Sequence, residues 1–303
     1  MKTRKFLSLL LALVTAFFAV SMTEITAFAE TGGDFTYSVI SEGNKTCMIT
    51  DYTGSAVTLT IPSKLGGYTV TCIGDSAFLL CKSLTSITVP NTVTDISDSA
   101  FKSCTSLISI TIPDSVKSIG DDAFLNCTSL ESITIPNGVT SIGTDAFSFC
   151  KSLKSITISN SVKSIGSSAF AYCTSLASVK IPESLTSIGD FAFWDCTSLT
   201  GIKIPDSVTA IGEWAFDGCD KIKICGNSGS YAQTYSNENS LSFYTLGDTD
   251  FDGTVTSNDY AIIRRYIMCR DALNEEQCIS ADYNFDGTVD AFDAIALDVY
   301  INS

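Results

Sequence analysis

The apolar positions of this chain recur every 23 residues. Phe78, Phe101, Phe124, Phe147, Phe170, Phe193 and Phe216 are spaced by that stride, and so are seven cysteines from Cys81 to Cys219 and seven isoleucines from Ile73 to Ile211. A leucine column runs in step from Leu84 through Leu107, Leu130, Leu153 and Leu176 to Leu199. Pro90, Pro113, Pro136, Pro182 and Pro205 share one register, Ser159 fills its gap, and Pro62 opens a degenerate first copy. Within one unit Ile133 and Ile135 alternate with Thr134, the period of a half-buried strand, and Pro136 ends it because proline cannot continue a ladder. A second inward set, Val139, Ile142, Ala146 and Phe147, closes the coil beneath the strand.

A unit of this size cannot bury its apolar face alone. Stacking copies turns each column into a continuous ladder, so the period predicts a β-rich solenoid with one short parallel strand per coil. Six full units over 82–219 give a rod roughly 29 Å long at about 4.8 Å per strand. The open ends need covers. Residues 34–55 predict a strand pair at the front, carrying Tyr37, Val39, Ile40, Cys47, Met48 and Ile49. Ser230 to Tyr244 predicts a short helix and strand at the back.

The recurring S-L-x-S-I-x-I-P-x-x-V-x-x-I-G-x-x-A-F-x-x-C resembles the 23-residue leucine-rich repeats of bacterial surface antigens over about residues 54–226. That resemblance implies a leucine-rich-repeat solenoid used for binding or adhesion rather than catalysis.

The ends of the chain read differently. Lys2, Arg4 and Lys5 precede an apolar run from Phe6 to Val20 and the small-x-small triplet Ala27-Phe28-Ala29, which predicts a signal peptide over 1–29 and export. The run is shorter than the roughly twenty residues that cross a bilayer, and no later apolar span predicts an anchor. The expected division is then a cap over 30–53, the solenoid over 54–226, a second cap and linker over 227–246, and a separate module over 247–303.

That last module carries the strongest chemistry. Asp248, Asp250, Asp252 and Asp259 occupy positions 1, 3, 5 and 12 of a twelve-residue loop, with Thr254 and Thr256 at 7 and 9. Asp282, Asn284, Asp286 and Asp293 repeat the pattern, with Thr288 and Asp290 at 7 and 9. Calcium is a hard cation that takes six to eight oxygens near 2.4 Å, and such loops fold side-chain oxygens and the carbonyl of position 7 around one point. Gly253 and Gly287 sit where each loop turns sharply. Helices are expected over about 258–268 and 291–300, and two calcium ions are expected. Position 12 is Asp rather than the Glu of ordinary EF-hands, and Leu241 to Gly247 shows no helical period.

A duplicated loop and exiting helix within 247–303 resembles a type I dockerin, the module that plugs exported proteins into cohesin domains on a scaffold, as in cellulosomes. The resemblance implies cohesin contacts at Ser257, Asn258, Arg264 and Arg265 in the first copy and at Ala291, Phe292, Asp298 and Val299 in the second. Arg264 aligns with Asp298 and Asn258 with Phe292, so the copies differ where they would dock and one dominant orientation is expected.

Charge and composition narrow the function. The 303-residue chain has net charge −15, or −17 without residues 1–29, which argues against nucleic acid. With no His there is no Ser-His-Asp triad and no imidazole metal site. Export favours disulfides, yet stacked in-register cysteines hold Cβ atoms about 4.8 Å apart where a bridge wants about 3.8 Å. The column is therefore expected to be buried thiols, with Cys269 and Cys278 the candidate exception.

For the solenoid, two outward columns are rich in hydroxyls: Ser86, Ser109, Ser132, Ser155 and Ser178, then Thr88, Thr111, Thr134 and Thr157 with Lys180 and Lys203. Such a face could bind a regular polymer or ice, while pleat-tolerant polar residues on a solvated face explain it without a ligand. Non-ladder aromatics Phe149, Tyr172, Phe191, Trp194 and Trp214 gather in the C-terminal half; they form a candidate ligand patch, since exposed rings stack on sugars or anchor proteins, or some of them simply pack between coils. Three functions follow: a non-catalytic accessory protein docked to an extracellular complex and binding a glycan or protein, a glycoside-hydrolase-type component of a polysaccharide-degrading complex, or a cell-surface adhesin. The enzymatic reading rests on Asp122 and Asp145, equivalent positions on adjacent coils about 5 Å apart, near the separation in retaining glycosidases. A solenoid ridge offers no cleft to desolvate a general acid.

Overall fold

The computed structural model describes residues 30–268, 272–283 and 288–302. The expected signal peptide, Cys269, Asn284, Asp286 and Gly287 lie outside them.

The chain winds as a β-solenoid in which each coil adds one rung to a ladder on either face. On one face the two-residue strands Asp95–Ile96, Ser118–Ile119, Ser141–Ile142, Ser164–Ile165, Ser187–Ile188 and Ala210–Ile211 pair in parallel. Ile119 sits opposite Ile96 and Ile142, Ile165 opposite Ile142 and Ile188, and Ile211 opposite Ile188, so the 23-residue stride is the register of the sheet. On the other face the strand expected at Ile133 and Ile135 is present as Ser132–Ile135, paired in parallel with Ser155–Ile158. The expectation of one strand per coil is therefore corrected to two. This second face divides into a three-stranded sheet up to Ser109–Thr111 and a six-stranded sheet from Ser132–Ile135 onward.

Between the faces lies the core. The seven ladder phenylalanines are buried, and neighbouring rings stack with centroids 5.1–5.5 Å apart and planes within 19° of parallel. Offset stacking adds about 0.5–1.5 kcal/mol per pair to the ~1.5–3 kcal/mol from burying each ring. The cysteines support the same column. Cys104 Sγ donates to the carbonyl of Phe78 at 3.0 Å, and Cys127, Cys150, Cys173, Cys196 and Cys219 repeat the contact 26 residues back along the chain. Cys278 aside, the ten other described cysteines are free thiols. Burial pushes the Cys127 and Cys173 thiols up to about 12, which keeps them protonated and unreactive.

The front is closed by an antiparallel meander, Glu30–Gly32, Phe35–Ser41 and Thr46–Tyr52, whose last strand pairs in parallel with Tyr68–Ile73 and continues into the long sheet. At the back, helix α1 (Tyr231–Glu238) starts at Ser230, whose hydroxyl accepts from Gln233 N–H at 3.3 Å. Tyr235 of α1 packs edge-on against Phe216, the last ladder ring. Strand Ser242–Thr245 then pairs in parallel with Lys223–Gly226. Two residues later the tail begins: helices α2 (Ser257–Ile267), α3 (Glu275–Ala281) and α4 (Ala291–Ile301) surround Ile263, Ala281, Ala294 and Leu297. Gly247 N–H donates to the Ser280 carbonyl at 2.9 Å, and Tyr244 Oη donates to Glu276 at 2.9 Å, so the tail is joined to the rod by side chain as well as backbone.

Candidate functional site

The first loop folds because its carboxylates accept from its own backbone. Asp252 and Gly253 donate N–H to Asp248 at 3.2 and 3.1 Å, and Thr254 donates both N–H and hydroxyl to Asp252 at 2.8 and 2.6 Å. Gly253 adopts φ +88°, a left-handed turn with open space where a side chain would stand. The result brings carboxylate oxygens of Asp248, Asp250 and Asp252 within 4.8 Å of one another.

Asp259, the fourth expected ligand, is placed differently. Fully buried at the first turn of α2, it accepts from Thr249 N–H at 2.7 Å and Asp250 N–H at 3.1 Å on Oδ1, and from Thr256 N–H at 2.8 Å on Oδ2. It thus ties both ends of the loop to the helix, while the Thr256 side chain caps α2. In the second loop Asp282 is buried, Asp290 caps α4 by accepting from Phe292 N–H at 2.7 Å, and Asp293 accepts from Asp290 N–H at 2.8 Å. Thr288 lies exposed beside them.

The donor set suits a hard divalent cation: it is all oxygen, and its charge is uncompensated by any basic neighbour in the loop. Asp248 is 5% exposed, and burial with the charges of Asp259 and Asp250 pushes its carboxyl above the usual range, against the N–H groups of Gly253 and Asp252. Asp252, on the open side, is held below that range by the Thr254 hydroxyl and N–H.

All eight expected cohesin contacts, Ser257, Asn258, Arg264, Arg265, Ala291, Phe292, Asp298 and Val299, are exposed. On α4 sequence reading missed an exposed apolar residue beside these: Ile295, 60% exposed, falls between Phe292 at 71% and Val299 at 64% in one apolar row. The i, i+3, i+7 spacing was its signal. The matching face of α2 is cationic, with Arg264 lying over the Tyr260 ring at 5.5 Å.

On the solenoid, the five candidate aromatics form one chain of ring contacts. Phe149 stacks on Tyr172 at 4.3 Å, Tyr172 meets Trp194 at 4.9 Å, Trp194 meets Phe191 at 5.5 Å, and Phe191 stacks on Trp214 at 5.2 Å. Their backbone is unusual. Each coil has two left-handed positions; one column reads Ser76, Ser99, Asp122, Asp145, Ser168, Phe191, Trp214 and the other Leu80, Ser103, Asn126, Phe149, Tyr172, Asp195, Gly218. Of the proposed glycosidase pair, Asp122 is tied to Lys102 at 2.7 Å, and Asp145 is raised by burial.

Repeat solenoid and calcium-loop tail together define a repeat-bearing docking protein. Residues 52–177 and 140–262 match the BspA type Leucine rich repeat region in six copies, so the chain belongs to that family. Residues 246–302 match the Dockerin type I domain, a domain that binds calcium and implies a cohesin partner. Neither match is a catalytic domain. Among solved structures, a T. pallidum leucine rich repeat protein (TpLRR) is 30% identical, with a TM-score of 0.61 over 71% of this chain and 98% of that one. A leucine-rich repeat protein from Bacteroides ovatus is 28% identical, with a TM-score of 0.46 over 71% of this chain and 67% of its own. No curated protein matches the chain. Among the described residues no helix is long and apolar enough to cross a membrane.

Proposed function

We infer that the protein is an exported, non-catalytic accessory component that is held on a cohesin-bearing scaffold by its tail and presents its solenoid to a glycan or protein ligand. The supporting observation is the apolar row Phe292, Ile295 and Val299, left open on a helix capped by a calcium-type loop. A monomeric module of this size has little reason to expose three large apolar side chains in line unless a partner covers them.

Asp248, Asp250 and Asp252, with the Thr254 carbonyl, Asp259 and the ninth-position Thr256, would hold one ion. Asp282, Asn284, Asp286, Thr288, Asp290 and Asp293 would hold the second. Bound calcium offsets the repulsion of clustered carboxylates and couples metal binding to folding of the tail. The chain's own residues do the rest: Asp259 and Asp293 fix each loop to its helix, and α4 presents its apolar row beside the cationic face of α2. Capture of the full chain by immobilised type I cohesin in calcium, lost on chelation, supports this function; no capture by a panel of cohesins in calcium removes it.

A further inference from the structure

The aromatic row, taken with the reading that the solenoid is the ligand-binding part, points to the class of partner. Phe149, Tyr172, Phe191 and Trp214 hold φ between +51° and +59°, where Ser, Asp, Asn or Gly stand in most other coils. A bulky residue there costs about 1–2 kcal/mol, so these rings are kept against the backbone preference. Trp214 is 52% exposed, and solenoid packing does not account for it.

The charge beside the Trp194 and Trp214 end of the row is predominantly acidic, with Lys221 the next basic residue along the chain. Segments 189–196 and 212–220 carry Asp190, Asp195, Glu213, Asp217 and Asp220 and no Lys or Arg. At the far end of the row Lys151 Nζ already lies 5.8 Å from the Phe149 ring centroid. Beyond Trp214 opens a hollow of about 420 Å³ between the last coil and the back cap, walled by Asp217, Asp220, Tyr235 and Asn239.

We propose that Phe191, Trp194 and Trp214, with Asp217 and Asp220, bind a cationic protein segment: an extended peptide whose arginine or lysine side chains lie on the ring faces and reach the carboxylates. Ring faces attract cations, and a guanidinium both stacks on an aromatic plane and pairs with a carboxylate through two N–H groups. A neutral glycan uses the rings but gains nothing from the charge, and an anionic polysaccharide is repelled.

The protein's two tryptophans, Trp194 and Trp214, both lie in the row, so intrinsic fluorescence reports on it directly. The full chain, kept in calcium to occupy the tail, is titrated with acetyl-tetra-arginine amide and, separately, with cellohexaose and xylohexaose. The arginine peptide is expected to change the emission saturably, and calorimetry should show binding weakened about tenfold by Trp214→Asn and, separately, by Asp217→Asn with Asp220→Asn. All three are exposed positions, and Asn tolerates the left-handed backbone of Trp214, so the variants keep the fold. Unchanged peptide affinity in both variants, or no binding of the peptide, overturns the proposal. Saturation by a neutral hexasaccharide without peptide binding also overturns it, while leaving the solenoid as the binding part. Cohesin capture scored on the same samples keeps the docking function separate.

Discussion

Thr249 N–H donates to Asp259 Oδ1 across ten residues at 2.7 Å, closing the first calcium-type loop onto the helix that follows it. Because the same carboxylate also accepts from Asp250 and Thr256, Asp259→Ala strands three backbone N–H groups. The substitution is expected to lower the stability of the calcium-loaded tail by about 3 kcal/mol. Hydrogen-exchange mass spectrometry of residues 247–268 in calcium checks it; protection equal to wild type would show that these three backbone contacts do not hold the loop.

The two copies of the tail should not contribute equally to docking. Phe292→Ala, Ile295→Ala and Val299→Ala each remove an exposed apolar side chain and should weaken cohesin binding by roughly 1–3 kcal/mol, whereas Ser257→Ala and Asn258→Ala should cost under ~1 kcal/mol. Equal losses from both copies, measured by calorimetry, would contradict a single dominant orientation.

Core rings and row rings are expected to separate in stability. Phe147→Ala opens a hole between two stacked neighbours and should cost about 3–5 kcal/mol, read as a lower melting temperature. Trp214→Asn should change stability by no more than ~0.5 kcal/mol, because loss of ring contact is offset by relief of the backbone.

The cysteine ladder makes a prediction about alkaline pH. Cys127 and Cys173 titrate near 12 when folded, above the ~8.5 of an exposed thiol, so the unfolded chain releases their protons first. Their contribution is complete below about pH 8.5 and is lost as pH rises from there through 12. Cys127→Ala and Cys173→Ala should flatten the fall of melting temperature over that window. Thiol titration of the unfolded, unreduced protein should find most of its twelve cysteines free; fewer than about seven would rule out the ladder of thiols.

Much of this was legible in the chain because the repeat states its own register: Ile119 and Ile142 are 23 residues apart and pair as such. The second strand of each coil was not, because Ser141–Ile142 is two residues long and has no alternation to read; it forms only when its neighbours supply hydrogen bonds. Helix α3 was also missed, although Asn274 and Gln277 form a capping box that marks its start. Spacing placed Asp259 at the twelfth loop position but gave no hint that both its oxygens are engaged by backbone. The aromatics were visible as departures from the ladder, while their left-handed backbone and the bridging of Tyr172 to Phe191 by Trp194 needed the fold.

The even rise of the ladder has a consequence for how such proteins change length. Losing or duplicating any 23-residue block near the middle leaves each surviving isoleucine a matched neighbour, so unequal recombination would alter reach without disturbing either terminus. Trp194 and Trp214 sit on the coils nearest the tail; copies gained toward the front would extend the free tip and leave the spacing between rings and anchor as it is.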